Sequence, residues 1–315
     1  MLTLFPNTPG AGPAIWFDLL DATDAERAEA EAALGSALPT REALSEIESS
    51  SRIRVRDGVL YMSVPSAAPH EPGRRPGSPI GFILSRERLV TVRYAPSKAF
   101  DAVARAVAAG EETPTCSLEM FVRLCEEIVD RIADALEHIA GDLVPLSEAA
   151  FHVDDGHGRR AIRSNRLLRA HLRSLGRHGD RLSEVRDALV GLARVIGFAD
   201  HNTEDWSEAP IELRMASVNQ DISSLSDYND QLFNKVQFLL DALVGLIGIA
   251  QNDIFKVLTI VSIVGIPPTL VASMYGMNFK YMPELSWPWG YPYGLAMIVL
   301  TAVIPLVWFK IKGWF

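Results

Sequence analysis

Two stretches near the C-terminus carry no charged residue: residues 257–279, VLTIVSIVGIPPTLVASMYGMNF, and residues 285–309, LSWPWGYPYGLAMIVLTAVIPLVWF. A helix that crosses a membrane needs about 20 mostly apolar residues, so both stretches qualify as transmembrane helices. The whole chain, 315 residues with a net charge of −9 and 22 % charged residues, has a mean hydropathy of only +0.12. It is too polar for a many-span bundle and slightly apolar for a wholly soluble protein, because its apolar excess is concentrated in these two stretches. The opening MLTLFPNTPGAGP lacks a basic start and an apolar run and is interrupted by Pro6 and Pro9. No signal peptide is expected, and the large N-terminal part is expected to stay in the cytoplasm.

Residues 14 to about 110 mix short β-rich runs (AIWFDL, RIRVRD, VLYMSVPS, GFILS, RLVTVRY) with the helical ATDAERAEAEAAL and TREALSEIES. This reads as a small α/β domain on an antiparallel or mixed sheet, with APHEPGRRPGSPI as a surface loop. From Ser117 the pattern turns helical. Residues 117–150 and 159–197 keep apolar residues at spacings of three and four, separated by the turn HVDDGHG. From about Pro210 the chain meets no early breaker, so one continuous helix is expected to run into the membrane. Sixty-odd residues at 1.5 Å each extend on the order of 100 Å, which needs support from neighbouring helices or subunits. Cys116 and Cys125 are nine residues apart in a helical segment, off one face, and read as reduced, buried thiols.

Two spans joined by a loop of about 15 residues form a hairpin with both chain ends on one side. Lys256 precedes the first span and Lys310 and Lys312 follow the second, whereas the loop holds Lys280 offset by Glu284. The bias puts both termini in the cytoplasm. Tyr281, Trp287, Trp289, Tyr291 and Tyr293 then crowd the outer interface, and Trp308 and Trp314 the inner one.

Two helices cannot enclose a hydrophilic path, so transport requires several copies around an axis. On the first span Asn252, Phe255, Thr259, Ser262, Ile266, Thr269 and Ser273 recur at steps of three and four. Such a polar-flecked stripe suits a pore wall or a close helix interface, since small hydroxyl residues serve both. Pro267 and Pro268 remove two amide hydrogens and free the carbonyls of Ile263 and Val264. In hydrocarbon those carbonyls need a partner or a water-filled lumen, which favours the pore. The second span has no ionisable residue and reads as a lipid-facing outer helix.

Tyr275-Gly276-Met277-Asn278-Phe279, followed by Met282-Pro283-Glu284-Leu285, resembles the outer loop of the CorA family of divalent metal ion (Mg²⁺/Co²⁺) transporters, whose signature is the Gly-Met-Asn triplet. PTREALSEIESSSR, NDIFKVLTI and the ending KIKGWF are similar to further parts of that family, so the resemblance covers nearly the whole chain. It implies a funnel-shaped homopentameric channel in the cell inner membrane, carrying Mg²⁺ inward down its gradient, with Co²⁺ and Ni²⁺ as further candidate ions and no organic cofactor. The implied organisation is a cytoplasmic α/β domain (1–116), a helical hairpin (117–206), a stalk helix (207–254), the pore-lining first span (255–275), the outer loop (276–290), the second span (291–310) and a short tail (311–315). Gly276, Met277 and Asn278 would form the selectivity motif at the ion's entrance, and Thr269, Ile266, Leu258, Phe255 and Asn252 would line the path inward. Periodicity prefers Thr259 where the resemblance prefers Leu258.

Mg²⁺ dehydrates reluctantly. Five neutral amide oxygens of Asn278 can accept hydrogen bonds from the waters of a hydrated ion, whereas an acidic ring would hold it too long. Phe255, Leu258 and Ile266 are apolar enough for constrictions that dewet. From Glu212 to Asp253 the stalk has six acids (Glu212, Asp221, Asp227, Asp230, Asp241, Asp253) against Arg214 and Lys235. Acids brought together between subunits repel unless a cation bridges them, so bound cytoplasmic Mg²⁺ would hold a closed state. The resemblance points to Asp241 as a regulatory metal ligand, and Asp253 is a further candidate.

Lys280 departs from the family, which commonly has an acid there, and opposes cation capture unless it pairs with Glu284 or turns away. The two other readings are a Zn²⁺ transporter of the same superfamily, against which the intact MPEL stretch speaks, and a non-conducting membrane-anchored metal sensor. HVDDGHG reads as a polar turn rather than a metal site. No Ser-His-Asp arrangement or phosphate-cradling glycine loop is apparent, so no enzyme is expected and no catalytic residue is assigned. The arginines of 159–187 are interspersed with acids in an acidic chain, which speaks against nucleic acid.

Overall fold

A computed structural model of the chain describes residues 1–5, 13–46, 53–65, 78–151, 160–278, 280 and 282–314. It divides into two compact units, one built from Met1–His152 and His171–Leu240, the other from Val153–Ala170 and Asp241–Phe315.

Among the described residues the first unit opens with six strands: β1 (Leu2–Phe5), β2 (Trp16–Leu20), β3 (Arg54–Arg56), β4 (Val59–Pro65), β5 (Pro79–Leu84) and β6 (Leu89–Arg93). They form one sheet in the order β1-β2-β6-β5-β4-β3. Only β2 and β6 run parallel, with Asp18 opposite Thr91 and Leu20 opposite Arg93. The other pairs are antiparallel, so the sheet is mixed. Helices α1 (Asp24–Leu34) and α2 (Arg41–Ser45) lie between β2 and β3 in the chain, and α3 (Lys98–Ala109) follows β6. The start of α1 is set locally. Thr23 caps it, accepting from the Glu26 N–H, while the Glu26 carboxylate takes the Thr23 N–H, and Gly35 ends it with φ +74°.

Alternation along the strands builds two cores. Phe17 and Leu19 face Ala30, Leu38, Leu44 and Tyr61 on the side of α1 and α2. Trp16 points the other way, with ring contacts to Phe5 and Phe100, and Phe82 packs against Phe100 of α3 and Phe121 of the next helix. Both faces of the sheet are therefore covered, which is why β4, β5 and β6 are buried on both sides along nearly their whole length and alternate little between apolar and polar.

Three long helices follow: α4 (Ser117–Phe151), α5 (Arg160–Thr203) and α6 (Ala209–Tyr275). In α4 the buried positions Leu118, Phe121, Cys125, Val129, Ile132, Leu136, Ile139 and Leu143 keep helical spacing, and Leu175, Leu182, Leu189, Val195 and Ala199 do so in α5. Where α5 passes the end of β4, a side chain on Gly191 would come within 2.8 Å of the Pro65 ring, so only glycine fits. Of the two cysteines, Cys125 is buried but Cys116 is only partly so. The reason is position: Cys116 precedes the first turn of α4, and its sulfur accepts from the Glu119 N–H at 3.5 Å.

Arg214, on the first part of α6, holds that helix to α4. Its Nε and Nη2 donate to Glu126 at 2.8 and 2.7 Å, and its Nη1 lies 3.4 Å from Glu119. One of the two bases between Glu212 and Asp253 is thereby neutralised by α4, so the acids of this segment are opposed mainly by Lys235.

Candidate functional site

In the second unit, α6 and the last helix, α7 (Gly290–Ile311), are each long and apolar enough to cross a membrane. Of their most apolar 18 residues, 0 % and 11 % respectively are buried. A core helix of a soluble protein would be mostly covered, so these surfaces require lipid or other chains.

Along the membrane end of α6 the half-buried positions Lys256, Ile260, Val264, Pro267, Pro268, Val271 and Tyr275 form one face at helical spacing. That face meets α7 and the residues after it. A side chain on Gly294 would lie 3.9 Å from the Tyr275 ring, and Lys256 Nζ sits 5.7 Å from the Trp314 ring centroid. The two contacts lie at opposite ends of the span in the same antiparallel register. Beside the second, Phe309 is buried between Trp308 and Trp314, and Gly313, at φ +70°, turns the tail so that the Trp314 N–H donates to the Phe309 carbonyl at 3.1 Å.

The candidate pore residues lie elsewhere on the helix. Asn252, Phe255, Leu258, Thr259, Ile266, Thr269 and Ser273 are exposed, and Ser262 is half-buried. At about 100° per residue their stripe falls on the opposite side of α6 from the Lys256–Tyr275 face. The chain's own second span leaves it open. Leu258 and Thr259 are both exposed on this side.

The threonine hydroxyls of the stripe turn back on their own helix. Thr259 Oγ1 donates to the Phe255 carbonyl at 2.8 Å, and Thr269 Oγ1 lies 2.8 Å from the Ile266 and 3.1 Å from the Gly265 carbonyl. With the hydroxyl hydrogen engaged, the oxygen keeps lone pairs for an outside donor or cation. Thr269 thus serves Gly265 and Ile266, not the Ile263 and Val264 carbonyls that the two prolines free.

The helix stops at the signature triplet. The Gly276 N–H donates to the Ala272 carbonyl at 3.0 Å and the Met277 N–H to the Met274 carbonyl at 3.3 Å, a tightening of the last turn. Gly276 is not in the left-handed region; its lack of a side chain matters because a Cβ would come 3.3 Å from the Ala272 carbonyl oxygen. Met277, Asn278 and Lys280 are exposed. Glu284 falls in a short 3₁₀ turn, Pro283–Ser286, with its side chain outside the described residues, as are Phe279, Tyr281 and the HVDDGHG turn. The expected Lys280–Glu284 pair also falls outside them.

Asp241 and Asp253 are exposed. Among the described residues of one chain, no three His, Cys, Asp or Glu side chains gather closely enough to hold a metal. The grip of Arg214 on α4 was missed from sequence: its partners are 88 and 95 residues away, and no local pattern marks them.

An α/β domain, a 67-residue helix ending in an exposed apolar segment, and a second apolar helix folded back on it after a Gly-Met-Asn turn define a membrane transport protein of the two-span type. The chain belongs to the CorA family: the profile of the family described as CorA-like Mg²⁺ transporter protein matches residues 12–311. It is 32 % identical over 301 residues to the magnesium transport protein CorA of Escherichia coli strain K12, covering 96 % of this chain and 92 % of that one. Among solved structures it is similar to the complete CorA magnesium transporter from Methanocaldococcus jannaschii, with a TM-score of 0.74 at 16 % identity, covering 99 % of this chain and 95 % of that one. It is also similar to the full-length CmaX protein, with a TM-score of 0.66 at 17 % identity and coverage of 98 % and 91 %. Membership places the chain among divalent-cation transporters rather than enzymes.

Proposed function

We propose that this protein is the subunit of a homopentameric channel that admits Mg²⁺ across the cell inner membrane, with both termini in the cytoplasm. The observation that carries this reading is the open stripe on α6. It holds hydroxyls, an amide and apolar side chains, runs the length of the first span, and faces away from the second span found among the described residues. Copies arranged about an axis would enclose a path lined by Asn252, Phe255, Leu258 or Thr259, Ser262, Ile266, Thr269 and Ser273. Gly276, Met277 and Asn278 would ring its outer mouth. Proteoliposomes carrying the purified protein and an enclosed Mg²⁺ indicator should show saturable Mg²⁺ entry, with Co²⁺ and Ni²⁺ competing and Zn²⁺ competing poorly. Well-assembled oligomers that pass no Mg²⁺ would overturn the channel reading in favour of a sensor.

Regulation follows from the exposed acids of α6. Asp241 and Asp253 are exposed and so available to share a cation with a carboxylate of a second copy, and Mg²⁺ bound between copies would hold the closed state. Asp241→Ala should raise the internal Mg²⁺ concentration for half-inhibition by about fivefold or more, the usual size of such couplings. An unchanged inhibition curve would remove Asp241 from the gate.

Lys280 is exposed two residues beyond Asn278 and places positive charge beside the mouth. Lys280→Glu should increase Mg²⁺ influx several-fold at low ionic strength. The gain should shrink as the Debye length falls from about 10 Å at 0.1 M salt to about 3 Å at 1 M. A salt-independent rate equal to that of the natural protein would show that Lys280 points away from the path.

A further inference from the structure

A cavity of about 550 Å³ lies between α4 and α5, far along the chain from the residues of the ion path. Asp142 and two apolar side chains of α4 form one wall, and the other is a stripe of α5 with His171, Ser174, Arg177, His178 and Arg181. Positions 171, 174, 178 and 181 follow steps of three and four, so one helix face presents them all. Two guanidiniums and two imidazoles thus meet a single carboxylate.

These groups are poorly served by the protein itself. Among the described residues neither Arg177 nor Arg181 forms an ion pair, and Arg177 reaches only the Ser174 hydroxyl, at 3.5 Å. The His178 side chain is 10 % exposed, and its Nε2 stands 3.9 Å from Asp142 Oδ2, beyond hydrogen-bonding distance. Nδ1 of His178 and Nδ1 of His171 are buried without a partner. Burial holds the His178 imidazole below its ordinary pKa; Asp142 opposes this, and Arg181, Arg177 and His138 add to it. The positive potential of the site therefore reaches into its buried wall.

We propose that this cavity binds a phosphate-bearing anion. Guanidinium forks donate in pairs to phosphate oxygens, and a hydroxyl and imidazole N–H groups supply the remaining donors. The volume lies within the range of small-molecule sites and exceeds that of a lone phosphate, so a polyphosphate or phosphate ester fits better. Such a guest would take up the spare donors of Arg177, Arg181 and Ser174, and Asp142 at the rim would repel it. This inference stands apart from the channel reading, because binding is measured whether or not the protein conducts.

The test is calorimetric titration of the full-length protein in lipid nanodiscs, without divalent cations and at low salt. One arm uses pyrophosphate and ATP in phosphatidylcholine discs, and the other compares phosphatidic acid vesicles with phosphatidylcholine vesicles. Saturable binding in either arm supports the site and identifies a soluble phosphate or a lipid headgroup as its source. The double variant Arg177→Ala/Arg181→Ala should weaken binding by at least about tenfold, as expected for losing charge-assisted hydrogen bonds. Asp142→Asn should tighten it. Arg173→Ala/Arg186→Ala, which removes two exposed arginines of the same helix, should change affinity less than about twofold. Absence of saturable binding in both arms would overturn the proposal, as would equal losses in the two double variants, which would mean diffuse attraction to a basic helix.

Discussion

Asn278→Ala should reduce Mg²⁺ influx through the reconstituted protein by at least about tenfold while leaving thermal unfolding unchanged. Asn278 stands exposed just past the last turn of α6, and no described hydrogen bond ties its side chain to the protein. Its removal therefore costs the fold little. The ion's loss is larger. A hydrated Mg²⁺ presents polarised water hydrogens, and a hydrogen bond to a charged group contributes roughly 1.5–3 kcal/mol. Even one such bond weakened in the rate-limiting encounter corresponds to about a tenfold change. Asn278→Asp separates acceptor from charge. It keeps the oxygen and adds charge, so it should lower the Mg²⁺ concentration for half-maximal flux and also lower the maximal rate, because a tighter site releases its ion slowly. Wild-type flux in Asn278→Ala would place the selective step elsewhere on the path.

How far this was legible in the sequence depends on how locally each feature is encoded. The two spans, the capped α1 and the break at Gly276 are written within a few residues, and the long helix begins at Ala209, one residue from the expected Pro210. The stripe from Asn252 to Ser273 was also readable, since periodicity needs only one helix. Which side of that helix its neighbour covers was not readable. That depends on Tyr275 meeting Gly294 and Lys256 meeting Trp314, contacts set by how α7 packs back on α6. Gly276 shows the same limit. The helix does end there in a turn, but the need for glycine comes from a close approach to the Ala272 carbonyl in a backbone outside the left-handed region, which only the folded helix end shows. Cys116 is only partly buried because it immediately precedes Ser117, the first residue of α4, so its sulfur sits at the helix end and accepts from the Glu119 N–H. Distant pairings left no trace at all, as with Arg214 and Glu126, or with Asp18 and Arg93.

That last pair carries the largest expected stability effect. Asp18 and Arg93 sit on the parallel strands β2 and β6, with side chains 6 % and 7 % exposed. Arg93 donates from Nη2 to Asp18 Oδ2 at 2.7 Å and from Nε to Oδ1 at 3.0 Å. Thr91 Oγ1 donates to the same Oδ1 at 2.9 Å and itself accepts from Trp16 Nε1 at 2.9 Å. The guanidinium also lies 5.0 Å from the Phe100 ring, and its nearest other carboxylate, Asp101, is 3.6 Å away and well exposed. Asp18→Ala would therefore strand a buried cation and leave the Thr91 hydroxyl hydrogen only the Phe17 carbonyl, at 3.5 Å, at a cost of about 3–5 kcal/mol. Arg93→Met alone should be comparably harmful, because it strands the carboxylate. The double variant Asp18→Leu/Arg93→Met should recover most of the loss, since two apolar side chains need no desolvated charge between them. Amide hydrogen exchange in β2 and β6 of the full-length protein would measure this locally. Losses that simply add in the double variant would show that the two charges act independently. Recovery would show that the pair mainly cancels its own burial cost, and that the surrounding aromatic packing of Trp16, Phe82 and Phe100 holds β2 against β6.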